Sequence, residues 1–118
     1  MTERMRRVNE ALREVLSEAV GDLKDPRIGF VTVTGVRTSR DLRHAVVYVS
    51  VLGSERKRDA TLAGLESTRG PLQARVGREL RLKRTPQLAF EYDPTVERGV
   101  RLTQLIDELS PGERDAED

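Results

Sequence analysis

Two segments rich in β-branched residues, joined by a short polar turn, lie in the N-terminal half of this sequence at about residues 28–37 and 43–52. Apolar and polar side chains alternate along the first, where Val31 and Val33 are separated by Thr32. In the second, Ala45, Val47 and Val49 share one face, because successive side chains of a strand point to opposite sides. The connection at 38–42 is short and polar, so the simplest pairing is an antiparallel hairpin. The fold must therefore contain a sheet.

Helical patterns precede and follow the hairpin. Apolar residues recur at spacings of three and four along residues 3–23, which predicts an amphipathic helix that Gly21 and Pro26 terminate. A second helix is predicted from about Arg56. A break at 67–71 separates it from a third helix with an apolar stripe at positions 72, 76 and 80. A third strand follows Pro86, and a last helix is predicted at about 95–109.

This order of elements, α-β-β-α-α-β-α, predicts an α+β fold in which helices cover one face of a three-stranded sheet and leave the other face partly wet. A chain of 118 residues is long enough for one modest core. We expect one domain over residues 1–109, including the C-terminal helix, and a disordered acidic tail over 110–118. The four aromatic residues, Phe30, Tyr48, Phe90 and Tyr92, all fall within predicted strands, where they suit the core or a sheet face.

Charge is distributed unevenly along the chain, although the net charge is only +1. Six acids and one base give residues 107–118 a charge of −5, which leaves +6 for residues 1–106. Residues 69–84 hold six bases and a single acid, Glu79. Basic surfaces of this kind attract polyanions, chiefly nucleic acids. The ordinary alternative is a solvated helix face.

Candidate RNA-contacting residues lie mainly in and after the helix break. Helical spacing places Arg75 and Arg78 to one side of Leu72, so both should project to solvent and could neutralise phosphates. The candidate set comprises Arg40, Thr68, Arg69, Gly70, Arg75, Arg78, Arg81, Lys83 and Arg84. A second basic patch, Arg4, Arg6 and Arg7, lies near the start of the first helix, where nearby glutamates are the ordinary partners.

Other functional classes find little support in the sequence. Cysteine is absent, which excludes disulfides and thiolate metal sites. The only histidine, His44, is expected at the surface or in packing, and Asp41 is expected to cap its own turn. Common catalytic and phosphate-loop motifs are missing, so we expect no enzyme activity, cofactor, metal or small-molecule substrate. No segment is apolar enough to span a bilayer, and we expect a cytoplasmic protein without membrane contact.

Five short motifs occur in order along the chain: DPRIG at 25–29, VTVT at 31–34, SRDL at 39–42, VYV at 47–49 and PxLxFxYD at 86–93. Together they resemble the ribosome-binding factor A family over about residues 7–105. The resemblance implies a type II KH fold that binds the immature 30S small ribosomal subunit and its 16S rRNA. It also implies assistance in late maturation, including processing of the 16S rRNA precursor at its 5′ end, and support of ribosome assembly in the cold.

The helix break is the position at which this family departs from other KH domains. KH domains ordinarily clamp RNA with a GxxG loop, and no two glycines of this chain are three residues apart. The family resembled carries Ala-x-Gly at a helix–kink–helix, which corresponds to Thr68, Arg69 and Gly70 here. Thr68 departs from alanine, and Pro71 removes one N–H that a helix start could offer to a phosphate. A plain turn between two helices is the alternative interpretation.

Two other functions remain open from the sequence. One is a generic KH-like binder of single-stranded RNA without a ribosomal role. The other is a protein-docking domain that uses the wet sheet face and the C-terminal helix. A steep loss of binding with salt would favour RNA over protein docking. A monomer is the default expectation for the oligomeric state.

Overall fold

The computed structural model describes residues 2–95. Within that range it contains three helices and three strands: α1 (Glu3–Gly21), β1 (Val31–Thr38), β2 (His44–Val51), α2 (Glu55–Ser67), α3 (Arg69–Leu80) and β3 (Gln87–Tyr92). The α+β class is confirmed, and the six elements occur in the predicted order. The predicted C-terminal helix and acidic tail lie outside the described residues.

Two of the helices begin at hydroxyl side chains that cap their first turns. The hydroxyl oxygen of Thr2 accepts a hydrogen bond from the backbone N–H of Met5 at 3.1 Å, at the start of α1. Ser54 does the same for the N–H of Lys57 at 3.2 Å, at the start of α2. Each cap satisfies one of the N–H groups that a helix start leaves without an internal partner. The sequence therefore sets both starting points locally.

The three strands form one mixed sheet with β2 in the middle. The β1–β2 hairpin is antiparallel, as the sequence predicts. Strand β3 pairs with β2 in parallel, so that Ala45 lies opposite Leu88 and Val47 opposite Phe90. Two neighbouring parallel strands need a long crossover connection, and the α2–α3 pair supplies it.

A β-bulge in β1 keeps its apolar side chains on one face. Val33 lies opposite Val49, but the register shifts between Val33 and Gly35, and Val36 then lies opposite Val47. One additional residue on the bulged strand reverses the phase of its alternation. Val36 consequently packs against the same core as Val33, although both could not share a face of a regular strand.

The core lies between the helices and one face of the sheet. Its buried members are Leu12, Leu16, Ala19, Val20, Val33, Ala45, Val47, Val49, Leu65, Leu72, Val76, Leu88 and Phe90. The described helices pack on the sheet, α1 against β1 and the other two against β3. The residues of β2 that face away from the helices are only partly buried, as expected for a sheet covered on one side.

The first strand begins three residues later than the sequence predicts, and this leaves Phe30 outside it. Phe30 is 80% exposed, so the expectation that it lies within a strand is wrong. The segment before it is drawn toward α2: the N–H of Gly29 donates to Thr61 Oγ1 at 3.3 Å, and the N–H of Ile28 closes a turn onto the carbonyl of Asp25. These contacts hold Ile28 and Gly29 away from the sheet, whereas the carbonyl oxygen of Phe30 still accepts from the N–H of Leu52 at 3.0 Å.

Candidate nucleic-acid interface

The break between α2 and α3 is centred on Thr68. Its backbone has φ −98° and ψ 9°, and it serves both as the last cap of α2 and as the first residue before α3. The Thr68 hydroxyl lies 3.1 Å from the carbonyl oxygens of both Gly64 and Leu65. A threonine that bonds back in this way satisfies the end of its own helix and bends the chain. The hydroxyl therefore closes α2 and does not cap α3.

Gly70 takes no part in the bend itself. It lies inside the first turn of α3, is exposed, and does not adopt the left-handed backbone that favours glycine. A Cβ added there would meet no atom within 4 Å. Beside it, Arg69 NH1 lies 3.6 Å from Glu66 Oε2. The kink thus presents an open glycine and a cation that is already paired.

Arg75 is held by acids, so the expectation that its side chain projects to solvent is wrong. Its guanidinium lies 2.8 Å from Asp22 Oδ2, 3.4 Å from Glu18 Oε1 and 3.3 Å from Glu79 Oε1, and its side chain is only 21% exposed. The hydrogen bonds to Asp22 and Glu79 raise the pKa of Arg75 above its ordinary value. Arg75 therefore ties α3 to the end of α1. Arg78 is exposed, as predicted.

Charge reversal should separate Arg75 from Arg78. In Arg75→Glu, a new carboxylate would stand among three others, so we expect a lower melting temperature that recovers partly in high salt. Arg78→Glu should leave the melting temperature unchanged, because no ion pair among the described residues involves it. Thermal unfolding by circular dichroism at two salt concentrations measures both. Equal melting temperatures for the two variants would show that the Arg75 cluster has no structural role.

The free edge of β3, which faces the kinked helices, is already occupied by side chains. The backbone N–H of Leu88 donates to Gln73 Oε1 at 2.9 Å, and the N–H of Phe90 donates to Glu66 Oε1 at 3.4 Å. Unpaired edge groups would otherwise be open to an extended chain. Two of the donors that a nucleic acid could use between kink and sheet are thus taken from within the fold.

At the other end of α3, the structure brings together basic residues that are far apart in the sequence. The start of α1, the β1–β2 turn and the α3–β3 connection line two adjoining cavities of about 700 and 500 Å³, which share Arg4 and Leu42 as walls. We call this feature the basic groove and define it by its cationic lining residues, Arg4, Arg37, Arg40, Arg43, Lys83 and Arg84.

Sequence reasoning found four members of the basic groove but assigned them to separate places, and it missed Arg37 and Arg43. The sequence gives little reason to group these two residues, because each is a single base near a strand end. Only the register of the hairpin places them beside the turn. Arg81 lies at the end of α3, exposed and in the left-handed conformation.

The residues of the second predicted patch line different cavities. Arg4 belongs to the basic groove, whereas Arg6 and Arg7 both lie within 3.5 Å of Glu3. They line a different cavity together with Glu10 and Glu14, so their surroundings are of mixed sign. Arg6 and Arg7 are therefore weaker candidates for phosphate contact than Arg4.

The turn that carries Arg40 is held by Asp41, as the sequence predicts. Asp41 Oδ1 accepts from the Ser39 hydroxyl at 2.6 Å and from the N–H of Arg43 at 3.1 Å. These hydrogen bonds lower the pKa of the Asp41 carboxyl, with the Ser39 hydroxyl the larger cause. His44, the next residue in β2, is exposed.

Residues 2–95 contain no group of three or more His, Cys, Asp and Glu side chains placed to hold a metal ion. Over the same residues, no helix has the length and apolar character required to cross a membrane.

Comparison with known proteins places the chain in a family. The family model for ribosome-binding factor A matches residues 4–106. Ribosome-binding factor A of Geobacter metallireducens is 46% identical over 114 residues, which cover 96% of this chain and 97% of that protein.

Solved structures agree with that match. The crystal structure of ribosome-binding factor A from Thermus thermophilus superposes with a TM-score of 0.69 at 31% identity, covering 75% of this chain and 93% of that one. A Thermus thermophilus RbfA homology model, fitted into the cryo-EM map of a 30S–RbfA complex, gives a TM-score of 0.63 at 31% identity and covers 73% and 91%. The chain belongs to the ribosome-binding factor A family.

Proposed function

We propose that this protein binds the immature 30S small ribosomal subunit through its 16S rRNA and assists late maturation of that subunit, including processing of the rRNA precursor at its 5′ end. The observation that carries the proposal is family membership over residues 4–106. A relative fitted into a map of a 30S complex supports the choice of partner. We further propose that the protein supports assembly in the cold and works in the cytoplasm as a monomer.

The fold we assign to this function is a type II KH-like domain over residues 1–109. Its support is the order α-β-β-α-α-β, with a helix break between α2 and α3 and a third strand parallel to the second. The kink residues Thr68, Arg69 and Gly70 remain candidates for backbone contact. An open glycine permits close approach of a ligand, and Gly70 has space around it.

The protein acts by binding alone in this proposal. A ligand shifts an equilibrium only by its difference in affinity for the two states. A factor that binds one conformer of the unfinished rRNA more tightly than its competitors therefore raises the population of that conformer without any chemical step.

Sedimentation with separated ribosomal particles tests the proposal. We expect the full-length protein to co-sediment with precursor and free 30S particles more than with 70S ribosomes, and to dissociate steeply as salt rises, because phosphate contacts release counterions. Equal association with all particles, or with none, would contradict it. Preference for free oligonucleotides would instead indicate a generic single-strand binder. Binding independent of salt would indicate protein docking.

A further inference from the structure

We propose that the basic groove, rather than the kink, is the main phosphate-binding site of this protein, and that it takes the sugar-phosphate backbone of RNA. The proposal deepens the proposed function and rests on it. The groove lies at the far end of α3 from Thr68, separated by a helix of 12 residues, which is roughly 18 Å at 1.5 Å per residue. The two surfaces can therefore be altered separately.

The groove concentrates cations that are mostly without an ion pair among residues 2–95. Arg4, Arg37, Arg40, Lys83 and Arg84 make no ion pair with any other residue in the 2–95 range, and Arg43 has only a distant one of 3.9 Å to Asp41. Most of the other described cations are paired, among them Arg6, Arg7, Arg13, Arg27, Arg58, Arg69 and Arg75. Bringing unpaired like charges together is unfavourable. An external anion would offset that cost.

The only acid among the described lining residues, Asp41, forms an ion pair with just one of the six cations, Arg43. Asp41 directs its Oδ1 oxygen at the Ser39 hydroxyl and at the N–H of Arg43, so its carboxylate holds the turn. Among the described residues, the groove is therefore a concave surface lined by six cations and one acid. Such clefts focus the field and attract polyanions.

Unusual backbone conformations also occur beside the basic groove. Among the described residues other than glycine, only Leu42 and Arg81 have positive φ, at 59° and 48°. This conformation is sterically unfavourable for residues with a Cβ, and it tends to occur where function requires it. Leu42 forms a wall of both cavities, and Arg81 turns the chain from α3 toward Lys83. The two unfavourable backbone conformations therefore both occur in the loops that carry the cations of the groove.

The kink offers less to a phosphate. Arg69 and Arg75 are paired with acids, the Thr68 hydroxyl closes α2, and side chains cover the β3 edge. RNA backbone is the occupant we choose because the groove is lined by guanidinium and ammonium groups, which match phosphate oxygens. The described residues that line the two cavities include no aromatic side chain, so the site is suited to backbone contact without base stacking.

Two double charge reversals of equal size test the assignment. Arg40→Glu with Lys83→Glu alters the groove, and Lys24→Glu with Arg56→Glu alters exposed cations away from it that also have no ion pair among the described residues. Each pair replaces one arginine and one lysine and changes the net charge equally. Affinity of the full-length protein for purified 30S subunits, and for protein-free 16S rRNA, is measured across a salt series, with thermal unfolding as a check on folding.

We expect the groove variant to bind both targets at least about tenfold more weakly and to lower the slope of log affinity against log salt by about 2, one unit for each phosphate contact. The control should change affinity much less and keep the slope. Equal losses in the two variants would overturn the groove assignment. Loss of 30S binding with unchanged rRNA binding would overturn RNA as the occupant and indicate an acidic protein. If the unaltered protein binds neither target, the proposed function itself fails.

Discussion

Replacing Asn9 by alanine should lower the free energy of unfolding by about 2–4 kcal/mol, because it leaves two buried donors of Thr38 without an acceptor. Asn9 Oδ1 accepts from the backbone N–H of Thr38 at 3.0 Å and from its hydroxyl at 2.8 Å. Asn9 and Thr38 are only 7% and 4% exposed. Water is therefore poorly placed to replace the lost oxygen. Chemical denaturation monitored by circular dichroism measures the change.

Two further variants separate the contribution of the Thr38 hydrogen bonds from the effect of alanine on helix propensity. Thr38→Val removes the hydroxyl but keeps the shape and the backbone donor, so it should cost less than Asn9→Ala. Ser17→Ala lies on the exposed side of the same helix and reports the effect of alanine on helix propensity alone, which should be within about 0.5 kcal/mol. An Asn9→Ala loss no larger than that of Ser17→Ala would show that the Thr38 donors find other partners.

The Asn9–Thr38 contact also bears on the basic groove. Thr38 is the last residue of β1, immediately before the turn that carries Arg40, while Asn9 lies one turn of helix after Arg4 and Met5. The contact thus fixes the start of α1 against the hairpin end. Both cavities of the groove lie between those two elements. We expect the relative position of Arg4 and Arg40 to depend on it.

Local signals in the sequence were sufficient for the elements but not for their contacts. Apolar spacing located α1 and β3 closely, and the break at Thr68 followed from Gly70 and Pro71 even though the bend lies at Thr68 itself. Helical spacing also placed Arg78 on the surface. It placed Arg75 there too, because the acids that hold Arg75 include Asp22, which is 53 residues away in the sequence. Periodicity along one helix carries no information about the charges on its neighbour.

The basic groove was even less predictable from local sequence patterns than the contacts of Arg75. Lys83 and Arg84 were assigned to an extension of the helix face, and Arg40 to an isolated loop, because their separation in sequence gives no reason to group them. The parallel pairing of β2 and β3 brings the start of each strand to one end of the sheet. That pairing was not specified by the alternation pattern. A convergent basic groove therefore becomes visible only once the crossover is known.

Gly64→Ala should destabilise the protein by about 1–3 kcal/mol, because the added methyl group would overlap the residues packed against α2 at this position. A Cβ at this position would lie 2.7 Å from Ile28 Cγ1 and 3.4 Å from Arg27 Cβ. Helix propensity alone predicts the opposite sign, since alanine is favoured over glycine inside a helix by about 1 kcal/mol. The sign of the measured change therefore decides between local propensity and tertiary packing.

The turn at residues 25–28, which lies opposite Gly64, is held in place by hydrogen bonds. The Asp25 carboxylate accepts from both the backbone N–H and the guanidinium of Arg27, at 2.9 and 2.7 Å, and these bonds lower the pKa of Asp25 to about 2. Thr61 Oγ1 also lies 3.3 Å from the carbonyl oxygen of Arg27. The turn before Ile28 is thus fastened both to itself and to α2, so the added methyl cannot be relieved by a simple shift of the loop.

Gly70→Ala provides a matched control, since it makes the same chemical change six residues later where nothing lies within 4 Å. It should stabilise the fold by about 0.5–1 kcal/mol. Ile28→Ala removes the atom that obstructs residue 64, so it should cost less in the Gly64→Ala background than in the original protein, and the difference in a double-mutant cycle measures the contact. If both alanine substitutions stabilised the protein equally, the close approach of α2 to Ile28 would be wrong.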